Sequence, residues 1–359
     1  MFDTIHSLYF YDSSNLSIIP SETIDLIVTS PPYPMIEMWD GFFKGRREDL
    51  RDALEGGRGE EVFELMHLEL DRVWGELHRL LKSGGFLCIN IGDAVRSTGG
   101  HFQLYSNHAR VIRSCTALGF HSLPLILWRK QTNAPNKFMG SGMLPAGAYV
   151  TLEHEYILVF RKHGKREFNG EDRIRRRQSA YFWEERNNWF SDIWDFKGTR
   201  QDLEHEDLRK RSASFPFELA YRLINMYSLI GDRVLDPFLG IGTTILAAMA
   251  SCRNSIGVEI EPGFKRLIHE KVREAKGFLN DFIATRLENH IKFVNSFKES
   301  GKTMKYRSKN YNFPVMTSQE EELLLPYIVR IETLDDCTYK VYYSKNPSIC
   351  PPGGQYSFL

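Results

Sequence analysis

Residues 233–244 read Arg233-Val234-Leu235-Asp236-Pro237-Phe238-Leu239-Gly240-Ile241-Gly242-Thr243-Thr244. A short apolar run ends in an acid and a proline, two glycines follow, and a helix-forming stretch opens at Thr243. This is the pattern of a strand, a tight turn and a helix N-terminus, the unit from which α/β sheets are built. Glycines at 240 and 242 let the backbone approach a ligand closely. The unpaired N–H groups of a helix end favour an anionic guest, phosphate or carboxylate. No Gly-Lys-Ser/Thr follows, so the turn lacks the lysine of a nucleotide-hydrolysing P-loop. By itself such a turn is structural more often than not.

Glu259 changes that balance. It ends the next predicted strand, Ser255 to Glu259, close to the interval of about 20 residues at which an acid grips ribose hydroxyls in dinucleotide folds. An amino-acid carboxylate at the helix and a ribose at the acid together describe S-adenosylmethionine.

Working outward, strand-like and helix-like segments alternate along the chain, as a parallel α/β sheet requires. Residues 23–29 form a β-branched run that stops at Ser30-Pro31-Pro32, because proline cannot continue a ladder. Val62, Met66, Val73, Leu77 and Leu80 recur at helical spacing, and Ser83-Gly84-Gly85 is expected to cap that helix. Phe86 to Ile91, Phe120 to Trp128 and Glu155 to Phe160 read as strands and 215–229 as a helix. A further helix is expected from Pro262 onward, with proline in its first turn. After about residue 300 the composition changes, and that segment is either a small appended subdomain or a tail.

Composition sets the outer limits. The 359 residues carry 46 Lys+Arg against 46 Asp+Glu, so a uniformly basic nucleic-acid binder is excluded while a local basic face is not. A hydrophobic content of 42% supports a packed core and excludes global disorder. The five cysteines never form a CxxC pair, which argues for reduced thiols and against a disulfide framework or zinc site. No secretory signal or membrane span is visible, so a cytoplasmic location is expected. His67, His78, His154 and His269 lack ligand spacing, and no metal is assigned.

A second motif, Thr29-Ser30-Pro31-Pro32-Tyr33, lies at the carboxyl end of a predicted strand, the edge where open α/β sheets place ligands. A proline-stiffened turn explains it without chemistry. The chemical reading concerns an exocyclic nucleobase amine, whose lone pair is delocalised into the ring. Acceptors on its hydrogens, Ser30 Oγ and the Pro31 carbonyl, would localise that pair. Pro31 and Pro32 fix the loop beforehand, and Tyr33 offers a face for an extruded base. Methylation at cytosine C5 would need a Pro-Cys thiolate, and none occurs in the chain.

Together the two motifs resemble the β-class S-adenosylmethionine-dependent DNA amino-methyltransferases of restriction–modification systems. In that family the catalytic motif precedes the cofactor motif, as TSPPY precedes VLDPFLGIGTT here. The resemblance implies a doubly wound, mostly parallel sheet of the class I methyltransferase type in permuted order. Asp12 matches the acid placed near the cofactor's adenine. The segment from Arg211 to Leu219, with Ser214 and Phe215, matches the part that holds the methionine end; Asp236, Phe238, Gly240, Gly242, Thr243 and Glu259 complete the cofactor set. Family members with Ser in the catalytic tetrapeptide usually methylate cytosine N4, and those with Asp adenine N6. Ser30 therefore points to N4-cytosine, with adenine N6 the nearest alternative and a non-catalytic cofactor-binding DNA-recognition protein the alternative of another class.

The same resemblance divides the chain into a catalytic half (1–160, with an insertion at 35–59), a target-recognition segment (161–192), a cofactor half (193–299) and a C-terminal extension (300–359). It also implies duplex DNA and a cognate restriction endonuclease as partners, in a prokaryotic cytoplasm and at the nucleoid. The recognition segment is dense in cations, and Arg161, Lys162, Lys165, Arg173, Arg175, Arg176 and Arg177 are expected to meet phosphates or guanine edges. A solvated basic loop is the plain alternative. Trp39, Phe42 and Phe43 border either the base pocket or the core, and Asp93 is a secondary candidate for the site.

Overall fold

A computed structural model describes residues 2–130, 139–140, 143–197 and 215–345. Its centre is an eleven-stranded sheet. In chain order the strands are β1 (Phe2–Phe10), β2 (Ile24–Thr29), β3 (Leu81–Ile91), β4 (Phe120–Ser122), β5 (Ile126–Arg129) and β6 (His154–Lys162). There follow β7 (Ile193–Asp195), β8 (Arg233–Asp236), β9 (Asn254–Glu259), β10 (Tyr327–Asp335) and β11 (Thr338–Ser344). The spatial order is β7-β5-β6-β3-β2-β8-β9-β1-β11-β10, with β4 paired to β6. The five central strands, β3-β2-β8-β9-β1, are parallel throughout. Antiparallel pairs join them to β6 on one side and β11 on the other.

The strands are buried on both faces. Leu26 and Val28 pack into one cluster with the helices Phe217–Tyr227 (α7), Thr243–Ala250 (α8) and the first part of Phe264–Glu299 (α9). Ile27 points the other way, as does Ile24 across the register shift that separates it from Leu26, into a cluster with Gly59–Leu80 (α3) and Asn107–Ala117 (α4). Alternate residues of a strand serve opposite faces, so helices on both sides make the doubly wound arrangement that the alternation of segments predicted. Two shorter helices, Asp40–Lys44 (α1) and Glu48–Glu55 (α2), precede α3, and Glu171–Gln178 (α5) and Trp183–Trp189 (α6) follow β6.

Three local expectations are corrected. Ser83-Gly84-Gly85 does not cap α3; the helix ends at Leu80 and β3 begins at once. Gly84 has φ +80°, and the β2–β3 register shifts between Ile24 and Leu26, so the glycines form an irregularity inside the strand. A Cβ at Gly84 would lie 2.6 Å from the Arg166 backbone nitrogen, which explains the small residue. Pro262 lies in the turn before α9 rather than in its first turn. The residues beyond 300 form neither a separate subdomain nor a tail through residue 344: β10 and β11 extend the sheet beside β1, with Phe2 paired to Tyr343. Tyr311, Phe313 and Leu323 pack with Phe182 and Ile283. Among the described residues no helix is long and apolar enough to cross a membrane.

Candidate active site

Because β1, β2, β8 and β9 run parallel, their carboxyl ends lie at one edge of the sheet. The chain leaves β2 towards β3 in one direction and leaves β8 towards β9 in the other. The crevice between β2 and β8 is therefore the switch point of the topology, where open sheets place their ligands. A cavity of about 360 Å³ opens there, lined by Asp12, Ser30, Pro32, Phe215, Asp236, Phe238, Gly240, Thr243 and Glu259 among others. Its volume is in the roughly 300–1,000 Å³ range of small-molecule sites. The fold thus brings the two motifs together across more than 200 residues of sequence.

Asp236 joins the motifs physically. Its Oδ1 accepts from Thr29 Oγ1 (2.7 Å) and the Phe238 N–H (3.0 Å), and its Oδ2 accepts from Thr244 Oγ1 (2.6 Å). Thr29 is the last residue of the catalytic strand, and Thr244 lies in the first turn of α8. Among the described residues no cation pairs with this carboxylate, and burial raises it to about 6 against the opposing pull of its three donors.

Glu259 Oε2 accepts the Gly240 N–H (2.7 Å) and Oε1 the Glu261 N–H (2.8 Å). Burial raises this group too, with the two N–H donors pulling against it. A carboxylate has about four lone-pair sites, so two bonds leave capacity for a pair of ligand hydroxyls. That capacity at the wall of the cavity is the feature a ribose requires, and the residues present fit S-adenosylmethionine. Gly242 holds φ +88° where the turn enters α8.

Asp12 is ion-paired with Arg46 at 2.8 Å. Partial burial pushes its carboxyl up, but the bond from Arg46, the Ser14 N–H and the guanidinium charge outweigh that and hold it below the usual range. Arg46 also stacks over Phe42, 4.6 Å from the ring centre. Both belong to the 35–59 insertion, which with Met38 and Trp39 forms one wall of the cavity. Phe43 is fully buried in the core instead. The repeat of aromatics marked this wall in the sequence; nothing marked Arg46 as the partner of Asp12.

Ser30 heads a chain of hydrogen bonds. Its hydroxyl donates to Tyr33 Oη (3.0 Å), which donates to Glu155 Oε2 (3.0 Å). Asn90 Nδ2 donates to both Tyr33 Oη (2.8 Å) and Glu155 (2.6 Å), and Lys130 pairs with the other Glu155 oxygen. Burial and the Glu155 charge push the Tyr33 phenol well above its ordinary value, so it remains a donor. Glu155, at the start of β6, carries no sequence signal beyond its strand, because only the antiparallel pairing of β6 with β3 places it beside Asn90. Asp93 turns away from the cavity, to His108 Nδ1 (2.8 Å). Pro31 is buried beside Ser30. Ser214 lies outside the described residues.

The basic residues expected at the DNA do not gather here. β6 runs antiparallel to β3 and carries the chain from the cavity edge at Glu155 to the opposite edge at Lys162. Lys162 is only 4% exposed, and its Nζ bonds the Leu81 carbonyl (2.8 Å). Arg175 is tied to Asp232 and Asp172. Arg161, Lys165, Arg173, Arg176 and Arg177 lie with them at the amino ends of the central strands, none lining the cavity. The structure therefore places this stretch about 30 Å from the cavity edge, since a nine-residue strand spans that length at roughly 3.3 Å per residue.

A doubly wound sheet with a glycine turn, a buried acid at the end of the next strand and a switch-point cavity fits an S-adenosylmethionine-dependent methyltransferase of class I architecture. The profile of the DNA methylase family matches residues 24–270, more than half of the chain, and the protein belongs to that family. It is 49% identical over 348 residues to the type II methyltransferase M.MthZI of Methanothermobacter thermautotrophicus, covering 96% of this chain and 97% of that one. It is 48% identical over 280 residues to M.MjaI of Methanocaldococcus jannaschii, covering 75% and 91% respectively. A putative DNA modification methylase of Thermus thermophilus, solved in complex with S-adenosyl-L-methionine, superposes with a TM-score of 0.57 at 34% identity. That match covers 74% of this chain and 94% of the other. The chain is a DNA methyltransferase that uses S-adenosylmethionine.

Proposed function

We propose that this enzyme methylates the N4 amine of cytosine within a specific duplex DNA site, as the modification partner of a type II restriction endonuclease. The relatives' type II designation supports the biological setting. The observation that carries the chemistry is Ser30, which borders the same cavity as Glu259 and commits its hydrogen to Tyr33.

A hydroxyl that donates elsewhere keeps its lone pairs for the hydrogens of an incoming amine. The Ser30–Tyr33–Glu155 chain is polarised towards a carboxylate, and cooperative polarisation makes Ser30 Oγ a better acceptor. With the Pro31 carbonyl it would draw the amine towards tetrahedral geometry and localise its lone pair. Pro31 and Pro32 hold these acceptors in place before the base arrives, so no reorganisation is needed at the moment of reaction. Tyr33, with its hydroxyl already fixed, would flank the flipped base, and Trp39 and Phe42 would close the cavity from the insertion. Asp12, Phe215, Asp236, Phe238, Gly240, Gly242, Thr243 and Glu259 would hold the cofactor, which supplies a methyl group activated on a sulfonium.

The test is incubation with radiolabelled S-adenosylmethionine and a whole unmethylated genome, followed by nucleoside analysis. Labelled N4-methylcytosine is the expected product. N6-methyladenine would keep the reaction and overturn the base assigned from Ser30; absence of any labelled nucleoside would overturn the catalytic reading.

A further inference from the structure

At the sheet edge opposite the catalytic cavity lies a groove of about 1390 Å³ that the methyl-transfer reaction does not use. Its lining includes Arg161, Lys165, Arg173, Arg176, Arg177 and Arg186, with the aromatic rings of Phe168, Tyr181 and Trp183 between them. Three acids share the lining, and each is already engaged. Asp25 is paired with Lys82 and Arg166, and Asp172 with Arg166 and Arg175. Glu320 is buried and accepts from Thr317 and the Trp183 N–H.

The helix α5 sorts its charges by face. Asp172 and Arg175, three residues apart, turn inward: Arg175 bonds Asp232 (2.6 Å) and the Ile230 carbonyl (2.8 Å). Arg173, Arg176 and Arg177 occupy the exposed side, at the i, i+3 and i+4 positions that neighbour one another on a helix. Arg176 stacks over Phe168, 4.3 Å from its centre, and Arg173 bonds the Phe168 carbonyl. Among the described residues neither has a carboxylate within 4 Å, while Arg177 has a single loose one, Glu322 at 3.7 Å. Like charges at this spacing repel, and a chain of zero net charge has no need to concentrate them. An anionic partner relieves that repulsion.

We propose that this groove binds the phosphate backbone of a second stretch of duplex DNA, separate from the stretch that presents the target base. Many cations dispersed along an extended surface match a polyanion rather than a single phosphate, and contacts of this kind give affinity without sequence preference. The six residues of β2 separate the groove from the cavity by about 20 Å at roughly 3.3 Å per residue, so the two surfaces are spatially distinct. The enzyme is held near DNA by one edge while the other edge samples sites. The proposal rests on DNA being the substrate, but its readout does not depend on turnover.

The test is the Arg173→Ala/Arg176→Ala/Arg177→Ala variant of the full chain, with binding to a long random-sequence duplex followed by fluorescence anisotropy from about 50 to 200 mM salt. Loss of three phosphate contacts lowers the slope of log K against log salt by about 2 to 3, and low-salt affinity by at least roughly tenfold. Calorimetric affinity for S-adenosylmethionine and the melting temperature stay at the wild-type values, and the matching triple Arg→Lys variant keeps the slope. An unchanged slope and affinity in the Ala variant would overturn the proposal. So would an unchanged slope accompanied by lost binding to polyglutamate, which would assign the groove to an acidic protein. Failure of the nucleoside assay bears on the reaction alone and leaves the salt slope to judge the groove.

Discussion

Asp232 and Asp236 stand four residues apart, one just before β8 and one at its last position, and both are almost fully buried. Asp232 meets two guanidinium groups, Arg166 at 2.6 Å and Arg175 at 2.6 Å. Among the described residues, Asp236 meets only hydroxyls and one N–H. The first end is an electrostatic clamp that fixes the basic helix α5 to the sheet. The second keeps a carboxylate uncompensated by a paired cation, beside a cavity where a charged cofactor binds. One strand thus separates a scaffolding charge from a functional one, and the difference lies in the partners rather than in the residue.

The largest effect is expected at Ser30, proposed with the Pro31 carbonyl as an acceptor for the target amine. Ser30→Ala removes the side-chain acceptor, and methyl transfer is expected to fall by about 10²-fold or more, the scale of losing one preorganised polar contact in a transition state. Calorimetry should show S-adenosylmethionine affinity within about twofold of wild type; a parallel loss would mean that Ser30 serves the cofactor instead. Glu155→Gln keeps the shape but weakens the polarisation of Ser30, and kcat is expected to drop about tenfold with the KM for cofactor unchanged. A rise in KM with constant kcat would reduce Glu155 to a packing residue.

At the other end, Asp232→Ala takes from Arg166 and Arg175 the buried one of the two acids they share, and a loss of about 3 kcal/mol is expected in denaturant unfolding. Cofactor affinity measured below the transition should be retained. If affinity fell with stability, the two ends of β8 would not be separable.

The last effect is a pH dependence. Burial pushes the Asp236 carboxyl up to about 6, against 3.8 for an unperturbed aspartate. Between those values the folded state holds the proton more tightly, so this group's contribution to stability is greatest below 3.8 and is lost as pH rises through about 6. Asp236→Asn, neutral at every pH, should therefore gain on wild type between about pH 4 and 6 and run parallel to it above about pH 7. Urea unfolding across that range measures the difference, and a constant offset would show that Asp236 does not titrate as its burial implies.

The parts of this picture that are legible in the sequence are those governed by neighbours along the chain. A β-branched run stopped by Ser30-Pro31-Pro32, and another followed by Gly240 and Gly242, each declare a strand end and a loop. Alternation with amphipathic helices declares a parallel sheet, and the interval from Asp236 to Glu259 declares an acid at the end of the following strand. Ser83-Gly84-Gly85 reads as a helix cap in the sequence because a glycine with positive φ serves equally in a cap and in a strand irregularity. Only the backbone of Arg166 packed against it decides which. The basic stretch divides in the same way. Its density of arginine is plain, but the direction of β6 is not, and that direction carries the stretch to the far edge.

By itself, then, the sequence determined the two loops, their order and the chemistry each can support, because these depend on backbone geometry and side-chain type within a few residues. Only the tertiary structure decided which loops meet and which charges face solvent. Thr29 finds Asp236, Asp12 finds Arg46 and Tyr33 finds Glu155 across separations of 207, 34 and 122 residues. Such contacts follow from strand order and direction, which are set by the burial of two apolar faces at once and leave no mark on any short stretch of the chain.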